Sequence, residues 1–209
     1  ANMVVHPGVG NESGTLVNAL LAKYPHLADL GDAEERHGIV HRLDKDTSGL
    51  MVIAKTLDAL DDLMAQFRLR EVDKVYLALL ERTPKTLTGR IDAPIARDPK
   101  QRKRMAVVRD GKAAVSEFKV IDDNFRHGQA LVEFKILTGR THQIRVHAAF
   151  IGCPVVGDNI YGFRKQRVKM KRNFLHAAQL GFDHPESGEH MDFESDLPVG
   201  LEQIMMKLR

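Results

Sequence analysis

The feature that most constrains the fold is a run of strand-like segments in the middle of the 209-residue chain. In one of them, the apolar residues Val132, Phe134 and Ile136 are separated by the charged residues Glu133 and Lys135. A period of two is typical of a strand with one buried face. Similar residue patterns predict strands at 72–80, 88–96, 105–108, 114–121 and 129–137. Because they follow one another without intervening helices, they predict a mainly antiparallel sheet.

Helical patterns flank these strands. Leu57, Leu60 and Met64 recur at helical spacing and predict an amphipathic helix over 56–70 whose apolar stripe lies in the core. Further helices are predicted over 14–24, over 141–150 and near the C-terminus, with strands at 38–40, 49–55, 175–182 and 190–194. The chain is therefore predicted to be α+β, with polar loops at 29–37, 97–104 and 163–173 beside a cleft between two halves of one sheet.

Composition places the chain among ordinary folded proteins. Hydrophobic residues make up 43% and charged residues 28% of it, which excludes a disordered chain. The longest apolar runs, at 50–54 and 75–80, are far shorter than the roughly 18–20 residues of a membrane helix, and no signal-peptide pattern opens the chain. The single cysteine, Cys153, cannot form an internal disulfide. We therefore expect a cytoplasmic protein in a reducing compartment, without a membrane partner.

Positive charge is concentrated in two segments. The net charge of +3 is weak support for a polyanionic partner, but 97–104 contains five basic residues and 164–172 contains six. We interpret both as arms that bind nucleic-acid phosphates, since each neutralised phosphate adds affinity irrespective of sequence. The alternative is a pair of solvated loops. The phosphate-contacting residues predicted here are Lys100, Arg102, Lys103, Arg104, Arg164, Lys165 and Arg167.

A polar turn at 41–49 joins two apolar segments and contains two acids, three basic residues and two hydroxyl residues. Its position next to a predicted strand is typical of functional loops. Asp44 is a candidate nucleophile or base held by a cation. A catalytic pair with Asp46 is disfavoured, because side chains two residues apart on an extended loop diverge. A solvated turn is the structural alternative.

A second polar cluster, at 138–147, ends a strand and begins a helix. Gly139 permits a tight turn, and the free N–H groups near Thr141 can receive an anion. His142 and His147 are five residues apart, which does not align two zinc ligands on a helix, so a metal site is disfavoured. In the strand at 72–80, Lys74 and Tyr76 face the same way. No phosphate-binding loop or dinucleotide-binding fingerprint occurs, so nucleotide hydrolysis and hydride transfer find no support.

Seven short stretches follow one another in the order found in a known family. They are VVHPG at 4–8, GIVHRLDKDTSG at 38–49, KVY at 74–76, LTGRTHQIRVH at 137–147, GDNIYG at 157–162, LHA at 175–177 and HP at 184–185. Together they resemble the RluA-type family of pseudouridine synthases, and most of all its RluD-like ribosomal large-subunit branch. The resemblance extends from residue 3 to about residue 198.

The resemblance implies roles for individual residues. Asp44 matches the catalytic aspartate, which acts on the uridine at C1′ or at the pyrimidine ring, and Arg145 matches the arginine that pairs with it. An adjacent arginine favours the charged form of a carboxylate, as a nucleophile requires. Tyr76 matches the tyrosine that stacks on the base and helps to remove a proton. The substrate-binding residues implied are Arg42, which enters the RNA stack when the base flips out, Leu137, which lines the uracil pocket, and Arg140, His142 and Lys74.

The resemblance also implies a reaction and a fold. The expected reaction is the isomerisation of specific uridines in 23S ribosomal RNA, with no cofactor and no metal, by a monomer with a bent mixed sheet, flanking helices and a central cleft. A transfer-RNA synthase of the same family, an idle RNA-binding or ribosome-assembly protein, and a glycosidase are the alternatives. We expect 1–209 to be a catalytic domain with a trimmed N-terminal strand and no visible S4 RNA-binding domain.

Overall fold

A seven-stranded mixed sheet with helices packed against it forms the body of the protein in the computed structural model, which describes residues 1–30, 37–102 and 104–209. The predicted α+β class is confirmed. Most of the polar loop predicted at 29–37 lies outside the described residues, as does Lys103 of the predicted phosphate-contacting set. In the described part of the chain, no helix is long and apolar enough to cross a membrane.

The helices follow the predicted patterns closely. Their bounds are α1 Leu16–Lys23, a 3₁₀ helix Pro25–Leu30, α2 Leu57–Leu69, α3 Gln143–Phe150 and α4 Val199–Leu208. Thr15 and Thr56 cap α1 and α2 by accepting hydrogen bonds from backbone N–H groups three residues later, which satisfies donors that the helix leaves unpaired. α2 ends at Arg70, whose φ of 67° is in the left-handed region.

The strands form one sheet and a separate two-stranded hairpin. Their bounds are β1 Ser48–Gly49, β2 Asp73–Leu80, β3 Thr88–Asp92, β4 Ile95–Arg97, β5 Met105–Val107, β6 Val115–Asp122, β7 Ala130–Ile136, β8 Leu175–Asp183 and β9 His190–Glu194. The order in the large sheet is β1-β8-β2-β7-β6-β3, with β9 also pairing with β8, while β4 and β5 pair only with each other. All pairings are antiparallel except β1 with β8.

Strand β2 lies in the middle of the sheet and is irregular at one point. Tyr76 pairs with Phe134 of β7 and with Ala177 of β8, and the register with β8 shifts between Val75 and Tyr76. Such irregularities re-aim a side chain and are common beside active sites.

The main core contains buried residues of the central strands β2 and β7 and of the helices α3 and α4. Phe134, Phe174 and Leu79 are completely buried in it, and Ile144 of α3 and Leu201 of α4 pack into the same cluster. A second cluster joins α2 to β8. The sheet is thus rigid where its central strands support the candidate site.

The prediction of regular strands at 38–40 and 49–55 is wrong. Only a single bridge joins Ile39 to Ile53, and the regular pairing in this region is the parallel contact of β1 with β8. The alternation has another cause, since Leu50 and Val52 pack against the α2 cluster while Met51 and Ile53 pack against the α1 cluster. A segment buried on both sides between helices therefore shows a period of two without strand pairing.

The single strand predicted at 88–96 is two strands. The chain leaves the large sheet at Ala93 and Pro94, between β3 and β4. Proline has no N–H to donate to a ladder, so the pairing with β6 ends there. The following residues turn away to form the β4–β5 hairpin, whose connecting loop is the first basic arm.

Candidate active site

Asp44 is presented by the tight turn between His41 and Ser48. The backbone carbonyl of Asp44 accepts a hydrogen bond from the N–H of Thr47 at 2.9 Å, and the next residues run parallel to β8 as β1. Leu43 is buried in the main core, whereas the Asp44 side chain keeps 21% of its surface exposed. The turn is thus anchored by its apolar neighbour and leaves the carboxylate accessible.

The guanidinium of Arg145 lies between two carboxylates. Its Nη1 is 3.0 Å from Oδ2 of Asp44, while Nε and Nη2 donate to the two oxygens of Asp158 at 2.6 and 3.1 Å. Arg145 is on the first turns of α3 and is 6% exposed. Burial alone would lower the pKa of Arg145, but the hydrogen bonds and charges of Asp158 and Asp44 raise it above its ordinary value. The arginine is therefore permanently charged.

Asp158 holds the Arg145 guanidinium through the two nitrogens that do not bind Asp44. Its side chain is completely buried and also accepts hydrogen bonds from the N–H groups of Ile160 and Tyr161, both at 2.9 Å. Burial opposes the charge on Asp158, yet the bonds to Arg145 and to the backbone lower its pKa. The resemblance includes the GDNIYG stretch at 157–162 but assigns no role to its residues, so the sequence marks this loop without identifying Asp158 as the partner of Arg145.

Tyr76 lies beside Asp44 in the centre of the sheet. Its side chain is 8% exposed, and burial, together with the charge of Asp44, raises the pKa of its phenol. The neutral form of Tyr76 therefore predominates at neutral pH.

Asp44 and Tyr76 both line a small pocket of about 90 Å³. Leu43, Ile136, Ile144 and Leu175 form its apolar surface, and its polar lining includes Arg42, Asp44, Tyr76, Arg140, His142 and Arg145. A larger cavity of about 770 Å³ shares Arg42, Tyr76, Ile136, Gly139 and Arg140 with it. Leu137 and Lys74 line only this larger cavity, whereas Ile136 lines both.

His142 is held next to Asp44 by a hydrogen bond to Tyr161. Its Nδ1 lies 2.8 Å from the hydroxyl of Tyr161, which also accepts the N–H of Met105 at 2.9 Å. The donor in the bond to Tyr161 depends on the tautomer of His142, and in the tautomer with its hydrogen on Nε2 the hydroxyl donates to Nδ1. Nε2 is 3.9 Å from Oδ1 of Asp44. Burial lowers the pKa of His142, although Asp44 acts in the opposite direction, so the ring is neutral.

The first basic arm reaches this network. Arg104 lies over the ring of Tyr161 at 5.1 Å and also contacts Asp98, and Met105 of the same hairpin donates to the Tyr161 hydroxyl. The structure therefore places Arg104 and Met105, at the end of this arm, next to Tyr161, the hydrogen-bond partner of the pocket residue His142. Lys100 and Arg102 are exposed, and Asp98 orders their loop by accepting from the N–H of Lys100 at 2.8 Å.

Three predicted residues of the second basic arm, Arg164, Lys165 and Arg167, lie away from the pocket, whereas Arg172 of the same arm donates to Oγ of Ser48 in the Asp44 turn at 2.9 Å. Arg167 donates to the carbonyl of His127 at 2.8 Å and lines a cavity of about 230 Å³ together with Lys165 and Glu81, at the far end of β2 from Lys74. Arg164, Lys165 and Arg167 do not line the Asp44 pocket. The structure thus brings together the predicted residues of the turn, β2 and α3, but not these three.

The other candidate metal and nucleophilic groups have structural roles. His147 is completely buried, with Nδ1 against Ser116 and Nε2 against the carbonyl of Ala93, each at 2.9 Å. Cys153 is buried, which raises the pKa of its thiol. Among the described residues, no group of three or more metal-ligating side chains lies together.

Comparison with known proteins gives consistent matches. The family model described as RNA pseudouridylate synthase matches residues 1–150. An uncharacterized RNA pseudouridine synthase of Chloroflexus aurantiacus is 50% identical over 209 residues, which are 100% of this chain and 65% of the relative. The ribosomal large subunit pseudouridine synthase D of Pseudomonas aeruginosa is 46% identical over 221 residues, covering 100% of this chain and 67% of the relative. The chain therefore spans about two thirds of the length of these relatives.

A solved structure shows the same fold. The human RNA pseudouridylate synthase domain containing 1 matches with a TM-score of 0.76 at 28% identity, covering 97% of this chain and 82% of that one. The α+β sheet described above is therefore that of a pseudouridylate synthase domain.

The buried Asp158–Arg145 pair predicts a pH-dependent stability. Replacing Asp158 with Asn should lower the free energy of unfolding by about 3 kcal/mol at pH 7, because it leaves the buried guanidinium with the partly exposed Asp44 as its only acid partner among the described residues. The folded-state pKa of Asp158 is below its ordinary value of 3.8, so its contribution is complete above that pH and is lost as pH falls towards the folded pKa. Urea unfolding at several pH values should show the gap between wild type and variant constant above about pH 5 and narrowing below pH 4.

The exposed Asp123 provides the control, and Asp123→Asn should stay within about 0.5 kcal/mol of wild type. A gap that widens as pH falls would contradict the assigned pKa direction.

Proposed function

Because the chain belongs to the RNA pseudouridylate synthase family, we propose that it converts uridine in RNA to pseudouridine with Asp44 as the reacting carboxylate. The observation that carries the proposal is the 3.0 Å contact of Asp44 with Arg145 at the wall of an open pocket. Asp158 already binds Arg145 through two hydrogen bonds, so the arginine orients Asp44 without neutralising both acids. One carboxylate is therefore left to act on the substrate.

The reaction exchanges one bond for another within the nucleotide. The C1′–N1 bond breaks, the uracil rotates, C1′ bonds to C5, the C5 hydrogen leaves as a proton and N1 gains one. Asp44 assists either by attack at C1′, which displaces the uracil and is reversed when C5 bonds to C1′, or by addition to the pyrimidine ring, which is reversed by elimination after the rearrangement. Because the freed uracil has to be retained while it rotates, confinement in a small pocket favours recombination over loss of the base.

Tyr76 supports the base rather than acting as a phenolate. Its raised pKa makes a deprotonated tyrosine rare at neutral pH, so a role as a free phenolate base is disfavoured. A buried aromatic ring at the pocket is instead suited to stacking on the uracil, which contributes about 1–3 kcal/mol per base. Its hydroxyl can pass the C5 proton onward to Asp44 or to water.

His142 and Arg42 act on either side of the pocket. In the tautomer with its hydrogen on Nε2, His142 directs this N–H towards Asp44, so it can donate to the carboxylate or to an oxygen of the uracil or ribose. Arg42 is exposed and has no hydrogen-bond or ion-pair partner among the described residues. Its planar guanidinium is thus free to occupy the place that a flipped uridine vacates, at a flipping cost of a few kcal/mol.

The proposed substrate is large-subunit ribosomal RNA. The relative of Pseudomonas aeruginosa that covers the whole of this chain is named a ribosomal large subunit pseudouridine synthase, which supports this choice over transfer RNA. The first basic arm, 97–104, ends next to Tyr161, the hydrogen-bond partner of the pocket residue His142, and offers Lys100 and Arg102 to RNA phosphates. We place this activity in the cytoplasm, where ribosomal RNA is available, and it needs neither a metal nor a cofactor.

Replacement of Asp44 with Asn should abolish catalysis while RNA is still bound. We expect tritium release from [5-³H]uridine-labelled RNA to fall on the order of 10³-fold or more, because an amide is not a nucleophile. Binding of the same RNA should change by less than about threefold, since phosphate contacts dominate affinity. Asp46→Asn is the matched control, because Asp46 is in the same turn but does not line the pocket. Near-normal release by Asp44→Asn would overturn the assignment of the reacting group.

The choice of RNA can be tested with transcripts that carry no modification. Purified protein is incubated with a large-subunit ribosomal RNA transcript and with transfer RNAs, and pseudouridine is mapped by carbodiimide labelling and primer extension. We expect discrete new stops in the ribosomal RNA. Stops confined to transfer RNA would support the alternative synthase, and binding without any stop would support an idle RNA-binding protein.

A further inference from the structure

The larger cavity beside the Asp44 pocket carries an excess of positive charge. It opens between α2, the beginning of β2 and the turn that follows β7. Among the described residues that line it, one is acidic, Asp61, and five are cationic: Arg42, Arg68, Arg70, Lys74 and Arg140. A cleft lined by one sign of charge concentrates ligands of the opposite sign. The cavity therefore favours an anionic ligand.

Two of these cations come from the end of α2. This segment contains none of the matched sequence motifs. Arg68 is in the last turn of the helix, and Arg70 ends it with a φ of 67°. Glycine is the usual residue at a left-handed helix end, because other side chains are strained there. In the described part of the chain, neither guanidinium has a hydrogen-bond or ion-pair partner, and both are exposed. Both are therefore available to a ligand.

Lys74 supplies a fixed ammonium at the base of the cavity. Its side chain is 7% exposed, and Nζ donates to the carbonyl of Val72 at 2.6 Å and lies 5.4 Å from the ring of Phe67. His41 stacks on the same ring at 4.7 Å, so the aromatic layer is already packed and is not a free platform for a base. An ammonium has three donors, and only one is used by the described residues. The two remaining donors suit a phosphate oxygen.

We propose that this cavity is a phosphate subsite for the RNA backbone immediately next to the flipped uridine, with Lys74 at its base and Arg68 and Arg70 at its mouth. The cavity shares Arg42, Tyr76 and Arg140 with the uridine pocket, so a ligand within it adjoins the target nucleotide. Lys74 and Arg70 supply charge without competing acids at ion-pair distance among the described residues. This inference rests on the proposed function and adds an RNA path along α2.

The subsite is tested by the double variant Arg68→Ala/Arg70→Ala. The control is Lys85→Ala/Lys119→Ala, which removes the same charge from exposed positions near the β3–β6 edge of the sheet. Dissociation constants are measured by fluorescence anisotropy over a range of KCl concentrations, with an RNA fragment that the wild type converts. We expect about tenfold weaker binding and a salt slope reduced by about 1.4–1.8, from two lost phosphate contacts, with no change in the control. An unchanged slope, or an equal reduction in the control, would overturn the subsite.

A second probe locates the phosphate. The same RNA is made with uncharged methylphosphonate linkages on both sides of the target uridine. If the arginines contact those phosphates, the double variant should lose no further affinity for this RNA, because the two changes remove one interaction. Additive losses would contradict the proposed position. Uridine conversion by the wild type is measured in parallel. A wild type that converts no uridine counts against the proposed function. Additive losses of affinity in a protein that does convert uridine count against the subsite alone.

Discussion

The site depends on the guanidinium of Arg145 being bound on one side by a completely buried acid. Asp158 takes two of its donor nitrogens and leaves Nη1 for Asp44. With two carboxylates and one guanidinium, the group keeps a net negative charge, since His142 is neutral. If Asp158 were absent, Arg145 would have Asp44 as its sole acid partner and the pair would be neutral. The buried pair therefore orients the outer carboxylate and also preserves its reactivity.

The fold brings these groups together from four separate parts of the chain. β1 runs parallel to β8 at the end of the strand order and follows the Asp44 turn. β2 pairs with the other side of β8, and its irregular pairing places Tyr76 at the same pocket as Asp44. α3 begins at the turn that follows β7 and delivers Arg145, and the loop at 157–162 supplies Asp158. Each element is packed in a buried core, so the positions of the side chains are set by packing rather than by flexible loops.

Tyr161 connects this site to the first basic arm. Its ring lies near the guanidiniums of both Arg104 and Arg145, and its hydroxyl joins Met105 of the hairpin to His142. The hairpin that we propose as an RNA contact is thus linked by hydrogen bonds to His142, which faces Asp44. The hydroxyl of Tyr161 therefore joins the arm to the pocket residue His142 through hydrogen bonds.

Much of the fold could be predicted from the sequence because strands and helices have distinct apolar periods. The prediction failed at 49–55, where burial between two helices imitates a strand, and at Pro94, which ends a strand that the alternation alone would continue. Asp44, Tyr76 and Arg145 could be found from local motifs. The GDNIYG stretch marks the loop that contains Asp158, but the contact of Asp158 with Arg145 and the position of Arg70 at a cavity could not be found from the sequence, because only the folded chain brings those residues together.

The most direct test of the account is a crystal structure of Asp44→Asn bound to an RNA that the wild-type protein converts. We expect the target uridine to be turned out of the RNA stack, with its uracil against Tyr76 and its ribose next to residue 44. We also expect Arg145 still to bind Asp158. A uridine that remains stacked in the RNA, or that occupies another cavity away from residue 44, would contradict it.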